Sequence, residues 1–377
     1  VDFATLPGYD KMERMDDETF ASPKSKIQNP KSASPWPIVG HDWAVDLLRN
    51  AVAAGRPAHA LLITGLPNVG KGTLARTLAQ ALLCTETSIP CGACRACRLV
   101  VGGSDSASLD RGSHPDVRWV EPLGHSLKID QVRDLTRQLT LAPLEGKWQI
   151  AVLDRFEQAT PGAAHALLKT LEEPTAHAIL ILLAREAEML LPTIVSRCQV
   201  IALRPVPQRI VEQALVERWN VAPDQAHLLS HICAGRLGWA VTASTTPELL
   251  RERQQRLDDL SRFMYGARVA RFAYAEVLSR QSTTSIGEHL ELWAGWWRDV
   301  LLLLSNSSSP VTHIDRRDEL VRMARQSELA DARDALAAIL STWRQLNSNA
   351  NARLALEALM LRLPFFKSSA GKQTDGE

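Results

Sequence analysis

The sequence predicts an α/β protein, a doubly wound and mostly parallel sheet followed by an all-helical remainder. Three observations predict it. Apolar, β-prone runs alternate with helix-forming stretches between residues 60 and 183, the order that β-α-β units impose. Residues 65–73 read Gly-Leu-Pro-Asn-Val-Gly-Lys-Gly-Thr, a phosphate-loop pattern set between one such run and one such stretch, which is the strand, loop and helix context the pattern requires. After Pro205 and Pro207 strand character fades, and almost everything to Leu363 reads as helix.

Taken in order, residues 1–34 are polar and aperiodic, contain Met12 and Met15, and are expected to be a disordered leader. From Pro37 the texture changes. Asp46, Leu47, Leu48, Ala51, Val52 and Ala53 space as a helix, and His59 leads into a strand over 60–64. The phosphate loop follows, then a helix over 74–83. Strands are expected at 117–120, 149–153 and 178–183, and helices at 129–139 and 162–171, each from its apolar period. Within the helical remainder, residues 306–310 (Asn-Ser-Ser-Ser-Pro) break the pattern as a loop. Asn351 and Pro364 bracket a last helix as N-cap and stop. Its leucines, Leu354, Leu356, Leu359, Leu361 and Leu363, cover more than one face, so the helix is expected to be enclosed by its own domain or by partners. Trp293, Trp296 and Trp297 form another helically spaced group, as core or as interface anchors.

Bulk properties narrow the function. A chain of 377 residues exceeds what one core usually organises, so two or three domains are expected. Net charge is +1, from 43 basic and 42 acidic residues, which gives no general attraction to nucleic acid. Any such contact is local or delegated to partners. The sequence contains no run of about eighteen apolar residues and no apolar signal region at its start, so the expectation is a cytoplasmic protein without a membrane segment. Six cysteines in a chain of this kind point to metal or buried thiols rather than to a disulfide framework.

The phosphate loop is complete except in one place. Its glycines let backbone N–H groups face phosphates, its lysine neutralises β/γ charge, and a hydroxyl after the lysine holds magnesium. Gly65, Asn68, Gly70 and Lys71 supply the first two functions, but Gly72 stands where the hydroxyl belongs. Thr73, one place late, serves only if the helix start shifts. The alternative is a glycine-rich turn of another α/β domain. The strand at 149–153 ends in Asp154, as a magnesium-steadying strand does. Where a glutamate base normally follows, there is Arg155, which cannot accept a proton. Glu157 is the nearest carboxylate and is expected to face another direction, and Asp154 read structurally is a helix cap. Gly65, Asn68, Gly70, Lys71, Gly72, Thr73 and Asp154 thus form a degenerate site for ATP or ADP, with hydrolysis not expected.

Cys84, Cys91, Cys94 and Cys97 follow as C-x6-C-x2-C-x2-C. Four thiolates at this spacing wrap one tetrahedral ion, so structural zinc is expected, with no open position for catalysis. The alternative is a pair of redox C-x-x-C motifs, which ordinarily open a helix. His114, before Pro115, is read as a turn residue, and Cys198 and Cys233 as reduced, partly buried thiols.

The octapeptide Leu-Leu-Lys-Thr-Leu-Glu-Glu-Pro at 167–174, with Leu-Pro-Thr at 191–193 and Ser-Arg-Cys at 196–198, resembles the clamp-loader branch of the AAA+ family, the bacterial DNA polymerase III γ/τ and δ′ subunits. The resemblance spans residues 37–240 and includes the four-cysteine insertion. It implies an AAA+ P-loop core over 35–205 with a zinc-binding insertion at 84–97, a helical lid at 206–248, a helical collar at 249–365 and a disordered tail at 366–377. In that family the Ser-Arg-Cys arginine enters a neighbouring subunit's ATP site, which implies that role for Arg197. A planar cation there is worth several powers of ten in rate; the alternative is a structural arginine at a strand–helix corner. The γ/τ subunits keep an intact loop, an Asp-Glu pair and a lid arginine. Here Gly72, Arg155 and Gly238 stand at those places, with Arg236 two residues from the last. The departures resemble δ′, the member that lends a finger and receives none. Partners implied are γ/τ and δ and, through them, the β sliding clamp and primer-template DNA. Two rivals remain: an active γ/τ-type ATPase relying on Thr73 and Glu157, and a zinc-dependent DNA-binding module, which the charge balance disfavours.

Overall fold

The computed structural model describes residues 36–366 apart from 88, 102–113, 125 and 349; the expected leader and residues 367–377 of the expected tail lie outside the described residues. Helix α1 (Asp42–Ala53) leads to β1 (Ala60–Thr64), the phosphate loop and α2 (Lys71–Leu83). Next come α3 (Arg95–Val101), β2 (Val117–Val120), α4 (Ile129–Leu139), β3 (Gln149–Leu153), α5 (Pro161–Glu172), β4 (Ala178–Ala184), α6 (Pro192–Val195) and β5 (Gln199–Ala202). The sheet is parallel throughout, in the order β2-β3-β4-β1-β5. Every residue of β1, β3 and β4 is buried, as expected of parallel strands covered on both faces. Their alternate residues divide between two apolar clusters. Ile63, Ile150 and Ile181 face α1 and α2, with Leu48, Leu74 and Leu78. Leu62, Ala151 and Leu182 face α4 and α5, with Leu135 and Leu167.

Three elements were not expected from sequence, among them the single turn of α6. Strand β5 buries only Ile201 of its four residues, so it carries almost none of the apolar signal by which an inner strand is recognised. Helix α3 is short and begins inside the cysteine segment. Otherwise each anticipated strand is present, β4 extending one residue further than expected, to Ala184.

Helices α7 (Gln208–Trp219), α8 (Pro223–Ile232) and α9 (Leu237–Thr245) gather around Val211, Leu215, Leu229 and Ile232. Helices α10 (Pro247–Tyr265), α11 (Arg268–Ser279), α12 (Thr283–Leu304), α13 (Arg317–Arg325), α14 (Leu329–Asn347) and α15 (Ala352–Arg362) enclose a separate core. Trp293, Trp296 and Trp297 are buried in it, so they are core here rather than surface anchors. Residues 306–310 form a non-helical connection, as expected.

The Asn351 side chain accepts from Leu354 N and caps α15, which stops before Pro364. The end of α15 is secured by the buried Arg271 guanidinium, which donates to the carbonyls of Met360, Leu363 and Pro364 and to those of Phe263 and Met264 at the end of α10. Last-turn carbonyls lack helical partners, and a cation that satisfies them also meets the negative end of the helix dipole. Its own domain covers only part of α15: Leu356, Leu359 and Leu363 are buried, but Leu354 and Leu361 are 65% and 60% exposed. Phe366, assigned to a tail, instead packs on Tyr265 and Trp297.

Candidate functional site

The phosphate loop joins the carboxyl end of β1 to α2, with the carboxyl ends of β4 and, beyond it, β3 to one side, the edge at which open α/β sheets bind ligands. Gly65 has φ +147°, and a Cβ there would stand 2.6 Å from the Leu203 carbonyl oxygen. Asn68 and Gly70 also have positive φ, 62° and 116°. The turn therefore depends on residues that enter the left-handed region, glycine most readily. Lys71 Nζ donates to the carbonyls of Gly65 (2.6 Å) and Leu66 (3.0 Å). Burial pushes its pKa down to about 8 against the raising influence of Glu157 and Asp154, and the positive charge of Arg185 adds to the lowering. Loop, strand ends and helical remainder together line a cleft of about 1490 Å³, which includes Asn68, Gly70, Lys71, Gly72, Thr73 and Asp154. Small-molecule pockets run to about 1,000 Å³, so a nucleotide fits with room to spare.

Gly72 lies in the first turn of α2, and an added Cβ would meet only Trp119 ring carbons at 3.8 and 3.9 Å. The missing hydroxyl is thus an absence of chemistry and not of space. Thr73 is exposed at the same turn. Asp154 lines the cleft, and its Oδ1 accepts from the adjacent Arg155 N. The 3₁₀ turn that follows, Phe156–Gln158, has no side-chain cap, so Asp154 is not the cap that its structural reading required.

One expectation is overturned here. Glu157 does not face away. Arg155 adopts φ +47°, and this left-handed residue turns the chain. Its own side chain lies 3.8 Å from Glu121, while Glu157 lines the cleft close enough to Lys71 and Arg185 to interact with their charges. Burial raises the Glu157 pKa, opposed by its own and the Arg185 backbone N–H groups and by the two cations.

The position at which the resemblance places a lid arginine is occupied by a close approach. Gly238 N donates to Asn68 O at 2.8 Å, and a Cβ at 238 would stand 2.9 Å from that oxygen. A side chain there is excluded by the phosphate loop itself. Arg236 lines the cleft instead.

The cysteine cluster sits beyond the end of α2. Sγ atoms of Cys84, Cys91, Cys94 and Cys97 all lie within 4.8 Å of one another, with Cys91 and Cys97 4.0 Å apart. Tetrahedral Zn–S bonds of about 2.3 Å put sulfurs about 3.8 Å apart, so the donors and their spacing fit such an ion. The amides support the same geometry: Cys91 N donates to Cys84 Sγ, Cys94 N to Cys91 Sγ and Cys97 N to Cys94 Sγ. Nearby, the Asp116 carboxylate accepts from the amides of Leu144, Glu145 and Gly146 and from Gln149 Nε2. Burial opposes its charge, but the three amides outweigh it and hold the carboxyl below its usual range. The Asp116 amide donates to His114 Nδ1, which makes His114 the turn residue it was read as. Cys198 and Cys233 are free thiols, raised by burial, Cys198 to about 11.

Arg197 stands elsewhere, at the corner between α6 and β5, and does not line the cleft. Its guanidinium donates to Thr193 O at 2.9 Å and pairs with Glu172, at the end of α5, at 2.9 Å; the two side chains are 37% and 51% exposed. Of the residues anticipated from sequence, those of the phosphate loop and Asp154 are thus brought together, the four cysteines form a second cluster, and Arg197 is set apart. Sequence reasoning missed Arg185, which the apolar run of β4 signalled by ending against it, and Glu291 of α12, which had no signal.

A parallel sheet with a phosphate loop at the end of the strand next to its edge, and an acidic strand end beside that loop, defines an α/β phosphate-loop core followed by a helical region. Residues 40–207 match the family described as "DNA polymerase III, delta subunit". The chain is 28% identical over 323 residues to DNA polymerase III subunit delta′ of Bacillus subtilis, spanning 84% of this chain and 94% of that protein. It is 34% identical to Escherichia coli subunit delta′ over 50% of this chain and 55% of that one. It is 32% identical to Bacillus subtilis subunit tau over 51% of this chain and 32% of the relative, so it spans only about a third of that longer protein. The chain is thus similar over most of its length to a δ′ subunit of DNA polymerase III and is a homologue of that clamp-loader subunit. Among the described residues no helix is long and apolar enough to cross a membrane.

Proposed function

We propose that the chain acts as the δ′ subunit of a bacterial clamp loader, a cytoplasmic member that does not hydrolyse ATP, completes the ring with γ/τ and δ subunits, and lends Arg197 to a neighbour's ATP site. The complex so formed places the β sliding clamp on primer-template DNA. What supports this most is the position of Arg197, outside the chain's own cleft and held by one exposed carboxylate that a phosphate can replace. A guanidinium presented this way neutralises charge developing on a transferred phosphoryl group. In the chain's own cleft, Gly72 provides no magnesium hydroxyl and Arg155 points to Glu121. Lys71 and the loop amides retain the means to bind ATP or ADP. Residues 206–248 serve as the lid and 249–365 as the collar.

The test is a reconstituted γ/τ, δ and δ′ complex carrying Arg197→Ala. Assembly intact with DNA-stimulated ATPase depressed is the expected result, and full activity would remove the finger. The inward position of Glu157 favours a second reading, a γ/τ-type ATPase in which Glu157 polarises water. Turnover by the isolated chain, abolished by Lys71→Ala, would establish it.

Cys84, Cys91, Cys94 and Cys97 hold a structural zinc in this reading, fixing the segment after α2. Metal analysis should give one zinc per chain, lost in the Cys91→Ser, Cys94→Ser double variant, with a fall in stability on the order of several kcal/mol.

A further inference from the structure

The cleft above the phosphate loop is bounded on one side by α12, and Glu291 of that helix grips two cations from two different walls. Its Oε1 accepts from Arg236 Nη1 at 2.7 Å, and its Oε2 lies 3.5 Å from Arg185 Nη2. Arg185 directly follows β4, the neighbour of β1 in the sheet, and Arg236 directly precedes α9. Each guanidinium also lies over an indole, Arg185 over Trp343 at 5.2 Å and Arg236 over Trp239 at 5.9 Å. The three charged side chains are between 20% and 33% exposed, so these pairs are screened less than surface pairs are.

Lys71, Arg185, Arg236 and Glu291 all line the one cleft. A guanidinium fork matches carboxylate and phosphate oxygens alike, so Glu291 and a bound phosphate compete for the same two arginines. The phosphates nearest the loop are served by its amides and by Lys71, none of which Glu291 touches. A third phosphate shares Lys71 with the second but lies beyond the loop amides, so it draws more on cations of the surrounding walls. Two of those cations are engaged by Glu291, and the carboxylates of Glu157 and Asp154 add negative charge to the same space.

We propose that Glu291 is an internal anion that occupies Arg185 and Arg236 and so makes this cleft favour a nucleoside diphosphate over a triphosphate. The proposal rests on the reading that the phosphate loop takes nucleotide. It assigns to α12, far along the chain from the loop, the choice between the two nucleotides.

The full chain is titrated with ADP and with ATP by calorimetry, as wild type, Glu291→Gln and Lys71→Ala. The wild type is expected to bind ADP more tightly than ATP, and Lys71→Ala to lose both. Glu291→Gln keeps the side-chain shape and removes its charge; ATP affinity should rise about tenfold while ADP changes by less than about twofold. ADP binding that depends on Lys71, with the same ATP-to-ADP ratio in Glu291→Gln, overturns the role of Glu291 and leaves the nucleotide site standing. No Lys71-dependent ADP binding in the wild type overturns the nucleotide reading and this proposal with it. If Glu291→Gln is unstable, Glu291→Asp withdraws the carboxylate by one methylene and should shift the ratio in the same direction; no shift there overturns the proposal equally.

Discussion

In the phosphate cleft, cations are engaged from within the chain: Lys71 by loop carbonyls, and Arg185 and Arg236 by Glu291. At the corner between α6 and β5, Arg197 meets one exposed carboxylate and a backbone carbonyl. The difference is one of what each cation must give up. Part-buried charge bound by several partners is costly to release, whereas an exposed pair is worth roughly 1 kcal/mol or less and parts readily. A single sequence thus holds the cations of its cleft inward and presents Arg197 outward, as the proposed finger requires, without any difference in the kind of residue used.

Three experiments set those two regions against each other. The largest effect is expected from exchanging the cation removed. In a reconstituted complex, Arg197→Ala should slow single-turnover hydrolysis at the site it serves by about 10³-fold or more, whereas Lys71→Ala should change it by less than about threefold. Equal losses would erase the distinction between the regions. Next, Gly72→Ser restores a hydroxyl where Trp119 leaves space. Nucleotide affinity of the isolated chain should then tighten about tenfold with magnesium and not in EDTA; indifference to magnesium would mean the cleft lacks more than one ligand.

The smallest effect concerns acid. His41, which contacts Val69 of the phosphate loop, and His313, which lines the cleft beside Asp299, both have pKa values lowered by burial. Below the unfolded value of about 6.5 the unfolded chain takes up protons that the native chain resists, so stability falls as pH drops through that range and on below it. Between pH 7 and 5 the loss should be on the order of 1 kcal/mol. Hydrogen exchange should quicken in residues 65–70 before residues 191–198, and His313→Gln should flatten the stability profile. The reverse order would place the weaker region at the finger.

Much of this was legible in the sequence because the physics involved is local. An apolar run with β-branched residues, a loop of glycines and a helix of alanines and leucines announce β1, the phosphate loop and α2 from spacing alone. The cysteine cluster is legible because the C-x2-C steps and the loop before them bring sulfurs together with little help from the rest of the fold. Glu157 was misread because its direction depends on one left-handed residue, Arg155, at a position where arginine gives no hint of positive φ. Strand β5 escaped because an edge strand with one buried residue resembles a loop. The Glu291 bridge joins residues 106 and 55 positions apart, and no periodicity reports a meeting of that kind. For Leu354 and Leu361 the sequence left open whether the chain itself or a partner covers them, because apolarity all round a helix records only that burial is favourable, not whether a neighbour is present in the same chain.

The contact of Gly238 with Asn68 restricts how this protein can change. Any larger residue at 238 collides with a backbone oxygen that cannot swing aside as a side chain would. A lid arginine at that position therefore has to arrive together with a shift of α9 as a body, and a hydroxyl at Gly72 has to be acquired separately. Under the proposed δ′ reading, regaining both groups therefore takes more than one replacement, because the first of them also requires α9 to move.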